Sequence, residues 1–322
     1  MTVVVRATTP ADHPAVLGLL AASLGWAADE GLADYFEWKH RSNPLGSSPE
    51  WVAEVDGRIA GYRTFLRWEF EDAAGRTYRA VRAVDTATHP DFRGRGIFRT
   101  LTLAAVSEMA AAGIDFVFNT PNDQSRPGYL KMGWHEVGRL PAAVRVVGLR
   151  GARRIFGARV DAERRPLPDG GGEAAAEVLA DPRLADLLAH LGPAAGIRTR
   201  RSVGHLRWRY GHAPLGYRAI ALDDDPGRGL AVYRVRRRGP AREAALCEVL
   251  VPAGERRAAD RLVRAVGRAA RPDHVIRLNG PGGGFVPVPR LGPVLTWRAL
   301  AAPDRPPARR EWDLALGDVE LL

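Results

Sequence analysis

Phe36-Glu37-Trp38-Lys39-His40, followed by Pro44-Leu45-Gly46, returns later in the chain as Leu206-Arg207-Trp208-Arg209-Tyr210, followed by Pro214-Leu215-Gly216. The tryptophan, the basic residue after it and the Pro-Leu-Gly keep one constant offset, as an internal duplication would leave them. Two copies are too few to stack as a solenoid, so each must bury a core of its own. A chain of 322 residues is long enough for two cores. We place the first copy at 1–150, a connecting segment with the tract Asp169-Gly170-Gly171-Gly172 at 151–175, and the second copy at 176–322.

Inside the first copy, residues 3–6 read as a strand and Thr9-Pro10 as a helix start. A helix is expected over 29–40, then strands at 51–55 and 59–66 around the turn Asp56-Gly57. A further strand at 78–88 leads into Phe92-Arg93-Gly94-Arg95-Gly96. After it Ile97, Leu101, Ala105 and Met109 recur at helical spacing. A short strand at 115–119 ends the unit, and strand, loop, helix and strand at this spacing make two parallel neighbours. The second copy repeats the order weakly, with a helix over 256–270 and a strand at 275–278. The run 312–318 is expected to close its sheet.

The charge balance is +10 with a pI near 10.5, which would suit a nucleic acid if the charge were clustered. It is not: the only lysines are Lys39 and Lys131, and the arginines run along the whole chain. Nucleic acid is therefore a disfavoured partner, and a small polyanion fits the excess as well. No apolar run is long enough to cross a bilayer and no cleavage-type leader is legible, which makes the cytoplasm the expected compartment. The single cysteine, Cys247, reads as core filling. No His, Cys or carboxylate cluster has the spacing of metal ligands, so no metal is expected.

The chemistry concentrates at the arginine-glycine loop. Glycines remove side chains where a backbone must approach a ligand, and the helix that follows turns its free N–H groups and positive dipole end toward it. Arg93 and Arg95 add charge to the same place, so the ligand is an anion, most simply a diphosphate. Neither a nicotinamide-type Gly-x-Gly-x-x-Gly nor a Walker loop is present.

At these residues the chain resembles the GNAT superfamily of acyl-CoA-dependent N-acyltransferases, and with its two copies it resembles a tandem form of that fold. Arg93-Gly94-Arg95-Gly96-Ile97-Phe98 follows the family loop up to its last position, where Phe98 replaces a small residue. Downstream, Asn122, Ser125 and Tyr129 fall at the family spacing, ahead of Lys131-Met132-Gly133-Trp134. The resemblance implies an α+β fold: two domains, each a mixed, mostly antiparallel sheet with one splayed parallel strand pair flanked by helices. It further implies acetyl-CoA as donor substrate and a primary amine of a small molecule as acceptor. A monomer or homodimer would serve equally.

For site residues, the resemblance implies that Ala87 and Thr88 bond the pantetheine arm, and that Arg93, Gly94, Arg95, Gly96, Ile97 and Phe98 hold the diphosphate. Asn119, Asn122 and Ser125 would contact the cofactor, and Tyr129 would protonate the departing thiolate. Tyr129 could instead be a packing aromatic. An amine must be neutral to attack a thioester, and Asp85, a few residues before the loop, is the carboxylate placed to take its proton. It could equally pair with Arg82 or cap a turn. Trp38 and Lys39 read as an acceptor-side wall, and His40 and His89 as turn or surface histidines. In the second copy the loop becomes Pro252-Ala253-Gly254-Glu255-Arg256, with one glycine and an acid that would repel a diphosphate. That copy is expected to lack the cofactor. A non-catalytic acyl-CoA-binding or scaffold protein is the alternative function.

Overall fold

The computed structural model describes residues 2–24, 31–158, 160–278, 283–301, 303 and 305–320. Its first strands are β1 (Val3–Ala7), β2 (Glu50–Val55), β3 (Arg58–Glu71), β4 (Thr77–Thr88), β5 (Phe116–Asn119), β6 (His135–Arg139) and β7 (Ala142–Val146). Then come β8 (Glu173–Ala174), β9 (Arg198–Thr199), β10 (Tyr217–Leu222), β11 (Asp225–Arg238), β12 (Ala241–Leu250), β13 (His274–Leu278), β14 (Val286–Pro287) and β15 (Val294–Ala299). The helices are α1 (His13–Leu24), α2 (Gly31–His40), α3 (Ile97–Ala111), α4 (Arg126–Lys131) and α5 (Gly148–Arg154). After these come α6 (Ala175–Val178), α7 (Leu184–Ala189), α8 (Val203–Gly211), α9 (Arg256–Ala270) and α10 (Leu316–Val319). Asp29 and Glu30, with which the expected second helix begins, lie outside the described residues.

The fold is α+β, with two mixed sheets that each contain one parallel pair. The first sheet runs β1-β2-β3-β4-β5-β15-β6, antiparallel from β1 to β4 and parallel between β4 and β5. One face carries α3. Ile97, Leu101, Ala105 and Met109 are its buried stripe, against Trp51, Phe65, Val81 and Val117 from the strands. The approach is close, because a side-chain carbon at Gly61 of β3 would meet Ile97 at 2.6 Å and Leu101 at 2.9 Å. The indole N–H of Trp51 donates to Glu108 of α3 at 3.0 Å and pins the helix to β2. On the other face Val16, Leu19, Leu20 and Phe36 of α1 and α2 pack on Val52, Tyr62 and Ala87. Each such side chain, once fully buried, contributes roughly 1.5–3 kcal/mol.

The second sheet runs β14-β7-β13-β12-β11-β10-β8, with β12 and β13 parallel. Helix α9 covers it with Ala258, Leu262, Val263, Val266 and Ala270, against Ala231, Tyr233, Ala244 and Leu246. Cys247 is buried here, as a core filler would be.

The compact units are not contiguous in sequence. The first holds 1–71, 76–138 and 294–308, and the second holds 72–75, 139–293 and 309–322. A boundary at 150 therefore does not separate them. In both sheets the neighbour of the second parallel strand comes from the other half of the chain. Residue β15 Trp297 faces Phe118 of β5, and β7 Val144 faces Ile276 of β13. A strand's partner is set by which apolar faces meet, a long-range matter that local pattern does not record.

Two further expectations change. The Gly-Gly-Gly tract is not a free linker: the Gly171 carbonyl accepts from Arg218 at 3.0 Å and from the Tyr233 hydroxyl at 2.8 Å. A side-chain carbon on Gly171 would strike the Ala269 carbonyl oxygen at 2.1 Å, so glycine is there for close packing within the second unit. Residues 312–318 do not form a closing strand. They turn into α10, started by the Asp318 carboxylate, which accepts from the Ala315 N–H at 2.7 Å.

Candidate active site

Pairing between β4 and β5 stops at Arg82 opposite Phe118, although β4 continues to Thr88. From Ala83 onward the edge of β4 that faces β5 has no ladder partner in that strand, which leaves an open wedge between two parallel strands. Ala87 and Thr88 line its mouth; on their other edge they pair with Tyr62 and Gly61 of β3. A cleft at the carboxyl ends of parallel strands is the usual ligand position in such sheets.

The arginine-glycine loop stands at the same end. Gly94 and Gly96 have φ of +75° and +76°, a left-handed conformation that side-chain-bearing residues adopt only with strain. A carbon added to either would meet nothing within 4 Å, so both face open space. Gly96 is the residue before the first turn of α3, and Ile97, Phe98 and Arg99 have no helical carbonyl behind them to accept their N–H groups. The loop thus leaves backbone donors free at the start of α3, beside the exposed Arg93 and Arg95, and the Arg95 guanidinium lies over the Phe92 ring at 5.3 Å. A diphosphate fits that donor set.

Tyr129 lies on α4, its ring buried edge-on against Phe98, with centroids 5.3 Å apart. Its hydroxyl oxygen accepts from Nη1 of Arg63 at 2.8 Å. Phe98, the departure from the family loop, therefore fills the space between α3 and α4 while the loop glycines stay clear.

Three expected cofactor contacts are engaged elsewhere. Asn119 is buried, and its Oδ1 accepts from the Thr296 hydroxyl of β15 at 2.6 Å. It ties the end of β5 to its sheet neighbour. Asn122 Oδ1 accepts from the N–H and the hydroxyl of Ser125, both at 2.9 Å, so these two residues form the turn that starts α4 and thereby place Tyr129.

Asp85 sits in a bulge of β4. Thr64 faces Val84 and Tyr62 faces Ala87, so Asp85 and Thr86 together stand opposite Arg63. The φ of Asp85 is +41°, a conformation that costs energy in a non-glycine residue. Its carboxylate is held from α2: Lys39 Nζ at 2.7 Å and His40 Nε2 at 2.9 Å, both fully buried. Burial alone would push the carboxyl up, but the Lys39 charge and the His40 hydrogen bond bring it down to about 2. Burial likewise opposes the Lys39 charge, yet Asp85 keeps that ammonium raised above its ordinary value. Burial pulls His40 down further than Asp85 can offset. A neutral His40 would then donate from Nε2 to Asp85 and accept the Ser48 hydroxyl at Nδ1, 3.0 Å away.

This arrangement corrects three readings. Asp85 pairs with Lys39 and His40, whereas Arg82 reaches Thr120 at 3.1 Å. A carboxylate so stabilised as an anion is a weak proton acceptor. Lys39 and His40 are core residues that fix the bulge, and neither is a surface or wall residue. Arg63 and Thr86 were missed altogether. The one signal for Arg63 was a charged residue inside the apolar run Tyr62 to Leu66.

A mixed sheet with a splayed parallel pair, a glycine loop opening the crossover helix and a tyrosine on the next helix are the features on which the resemblance to acyl-CoA-dependent acyltransferases rests. Residues 4–137 match the family described as acetyltransferase (GNAT) domain, so this part of the chain is similar to domains of the GNAT superfamily. No curated protein matches the sequence. Among solved structures, a protein of Enterococcus faecalis V583 described as a probable N-acyltransferase is similar, with 15% identity and a TM-score of 0.66, over 94% of this chain and 73% of that one. A GCN5-related N-acetyltransferase from Kribbella flavida has 17% identity and a TM-score of 0.64, over 94% and 72%. One from Anabaena variabilis has 11% identity and a TM-score of 0.63, over 93% and 73%. At these identities the likeness is one of fold. Among the described residues no helix is long and apolar enough to cross a membrane.

Proposed function

We propose that the protein is an N-acetyltransferase that moves an acetyl group from acetyl-CoA to a primary amine of a small molecule by direct attack. The observation that carries this is the pair Gly94 and Gly96, left-handed and facing open space beside the unpaired edge of β4. In this reading the loop 93–98 holds the diphosphate, and the backbone of Ala87 and Thr88 bonds the pantetheine arm as an added strand would. The amine attacks the thioester carbon, a backbone N–H of the bulge receives the developing oxyanion, and Tyr129 protonates the leaving sulfur. Asp85 shapes the bulge while water carries away the amine proton.

Calorimetry with acetyl-CoA tests the binding half. Micromolar binding that weakens on Gly96→Val in a folded protein is the expected result, and no heat with the native protein would remove the assignment. Held as an anion by Lys39 and His40, Asp85 is a poor base, which also favours the non-catalytic acyl-CoA-binding reading. Thiol release from acetyl-CoA across a panel of primary amines separates the two.

A further inference from the structure

We propose that Arg63 is a positioning residue for proton delivery, which turns the Tyr129 hydroxyl proton toward the leaving sulfur. This rests on the reading of Tyr129 as the acid. Arg63 is fully buried on β3, opposite the bulge, and its Nη1 donates both to the Tyr129 oxygen at 2.8 Å and to the Thr86 hydroxyl. Its guanidinium lies over the Phe65 ring at 4.1 Å and is bordered by Phe98 and Tyr129 at 5.9 and 5.4 Å. Nε and Nη2 have no hydrogen-bond partner, and among the described residues no carboxylate pairs with the charge.

In the second unit Arg201 and Arg236 have carboxylate partners, whereas the fully buried Arg209 and Arg234 have none among the described residues. Arg201 pairs with Glu248 and Asp318, and Arg236 with Glu243 and Glu320. A guanidinium buried without a counter-charge works against folding, and an apolar side chain of like volume would pack the same space better. Its place is explained by what it does to its neighbour. A phenol has one proton and two lone pairs, so an N–H that occupies the oxygen from the Arg63 side turns the O–H elsewhere. Phe98 closes one flank of the ring, and Trp134, at 5.1 Å, closes another. Among the described residues the Tyr129 proton is committed to no acceptor.

In the reaction the amine nitrogen bonds the thioester carbon and the carbonyl electrons move to oxygen. On collapse the carbon–sulfur bond breaks with its electron pair on sulfur. The Tyr129 proton then passes to sulfur, which gives the free thiol and leaves the phenolate beside the Arg63 cation. The proton shed by the amine returns to the phenolate through solvent.

The test compares native protein with Tyr129→Phe, Arg63→Met, Arg63→Lys and the Tyr129→Phe/Arg63→Met pair. Thiol release from acetyl-CoA is followed with the best acceptor of a primary-amine panel or, failing one, with water, and thermal unfolding is followed alongside. General acid catalysis is worth ~100-fold or more, so Tyr129→Phe should lose about that in kcat. Arg63→Met should lose at least ~10-fold in kcat with KM for acetyl-CoA within about twofold, and the pair should be no slower than Tyr129→Phe alone, because residues that act as a unit are not additive. Arg63→Lys should recover part of the loss, and Arg63→Met should melt no lower than native protein. Losses that multiply in the pair, or an Arg63→Met protein with native kcat, overturn the proposal; if Arg63→Met does not fold, an Arg63→Lys protein whose loss multiplies with Tyr129→Phe overturns it in the same way. A Tyr129→Phe protein with native kcat sinks the acid reading itself, which is a distinct failure.

Discussion

At the bulge of β4, Asp85 is held by Lys39 and His40 from α2. At the bulge of β12 the extra residue is Cys247, and the residues matching Lys39 and His40 are Arg209 and Tyr210 of α8. Arg209 donates to the Gly317 carbonyl at 3.0 Å, to the Tyr217 hydroxyl at 2.8 Å and to the Glu320 carbonyl. Tyr210 donates to Glu248 at 3.0 Å, and Glu248 pairs with Arg201. A cavity of about 340 Å³ remains beside β12, walled by Cys247 to Val251, by Arg277 and Leu278 of β13, and by Asp313 to Leu316. The second unit thus ties its bulge to residues 313–320. Among the described residues no helix stands between β13 and β15 to carry a counterpart of Tyr129. Where one sheet leaves an open edge beside its bulge, the other occupies its bulge with bonds from residues 313–320. The same skeleton yields a candidate site in one unit and a braced core in the other.

The largest test of this contrast is Asp85→Asn. It takes the carboxylate counter-charge from the buried Lys39 and should cost about 3–5 kcal/mol in urea unfolding. Cys247→Ala at the matching bulge should cost no more than about 2 kcal/mol, since it removes little buried volume and weak thiol contacts to Ala245 and Glu320. Comparable losses at the two bulges would erase the distinction.

Next in size is the response to acid. His205 is buried between Arg201 and Arg209, and burial first, then those charges, push its imidazole down to about 3. Its folded value lies below the unfolded value of about 6.5, so its contribution is complete above pH 6.5 and drains away as pH falls toward 3, by at most ~1.4 kcal/mol per unit. Asp85 has the same sign in a lower window: its contribution is complete above about pH 4 and is lost as pH falls through about 2. Urea midpoints measured from pH 7 to 4 should fall in native protein and flatten in His205→Leu. An unchanged slope would show that His205 is not the group that titrates.

The two loops give a smaller effect. Gly96 and Gly254 both have positive φ, +76° and +84°, and a carbon on either meets no atom. Gly96→Val should weaken acetyl-CoA by at least ~10-fold in calorimetry, about 1.4 kcal/mol, while Gly254→Val leaves the affinity unchanged. If Gly254→Val proved the damaging change, the ligand would belong to the second unit. The smallest expected effect is Ser48→Ala, which removes the hydroxyl on His40 Nδ1 and should cost about 1 kcal/mol of stability.

The sequence by itself determined the features that depend on neighbours along the chain. The α3 stripe of Ile97, Leu101, Ala105 and Met109, the strands around Asp56-Gly57, the glycine loop and the Asn122-to-Tyr129 spacing are local patterns of period, turn chemistry and capping, and each is legible in a dozen residues. The return of the tryptophan, the basic residue and the Pro-Leu-Gly at one offset was legible by comparing two such short patterns. Only the tertiary structure decided which strand stands beside β5, that Asn119 serves Thr296, and that the Gly-Gly-Gly tract is packed. It alone joined Lys39, His40 and Asp85, and Arg63 to Tyr129. Those pairs lie 45 or more residues apart along the chain, and nothing in the spacing of one side chain records the charge or hydroxyl that folding brings to it. Buried partners and burial then reversed what residue type alone suggested: Lys39 and His40 made a base-like aspartate an anchored anion, and burial made a surface-like histidine a neutral core donor.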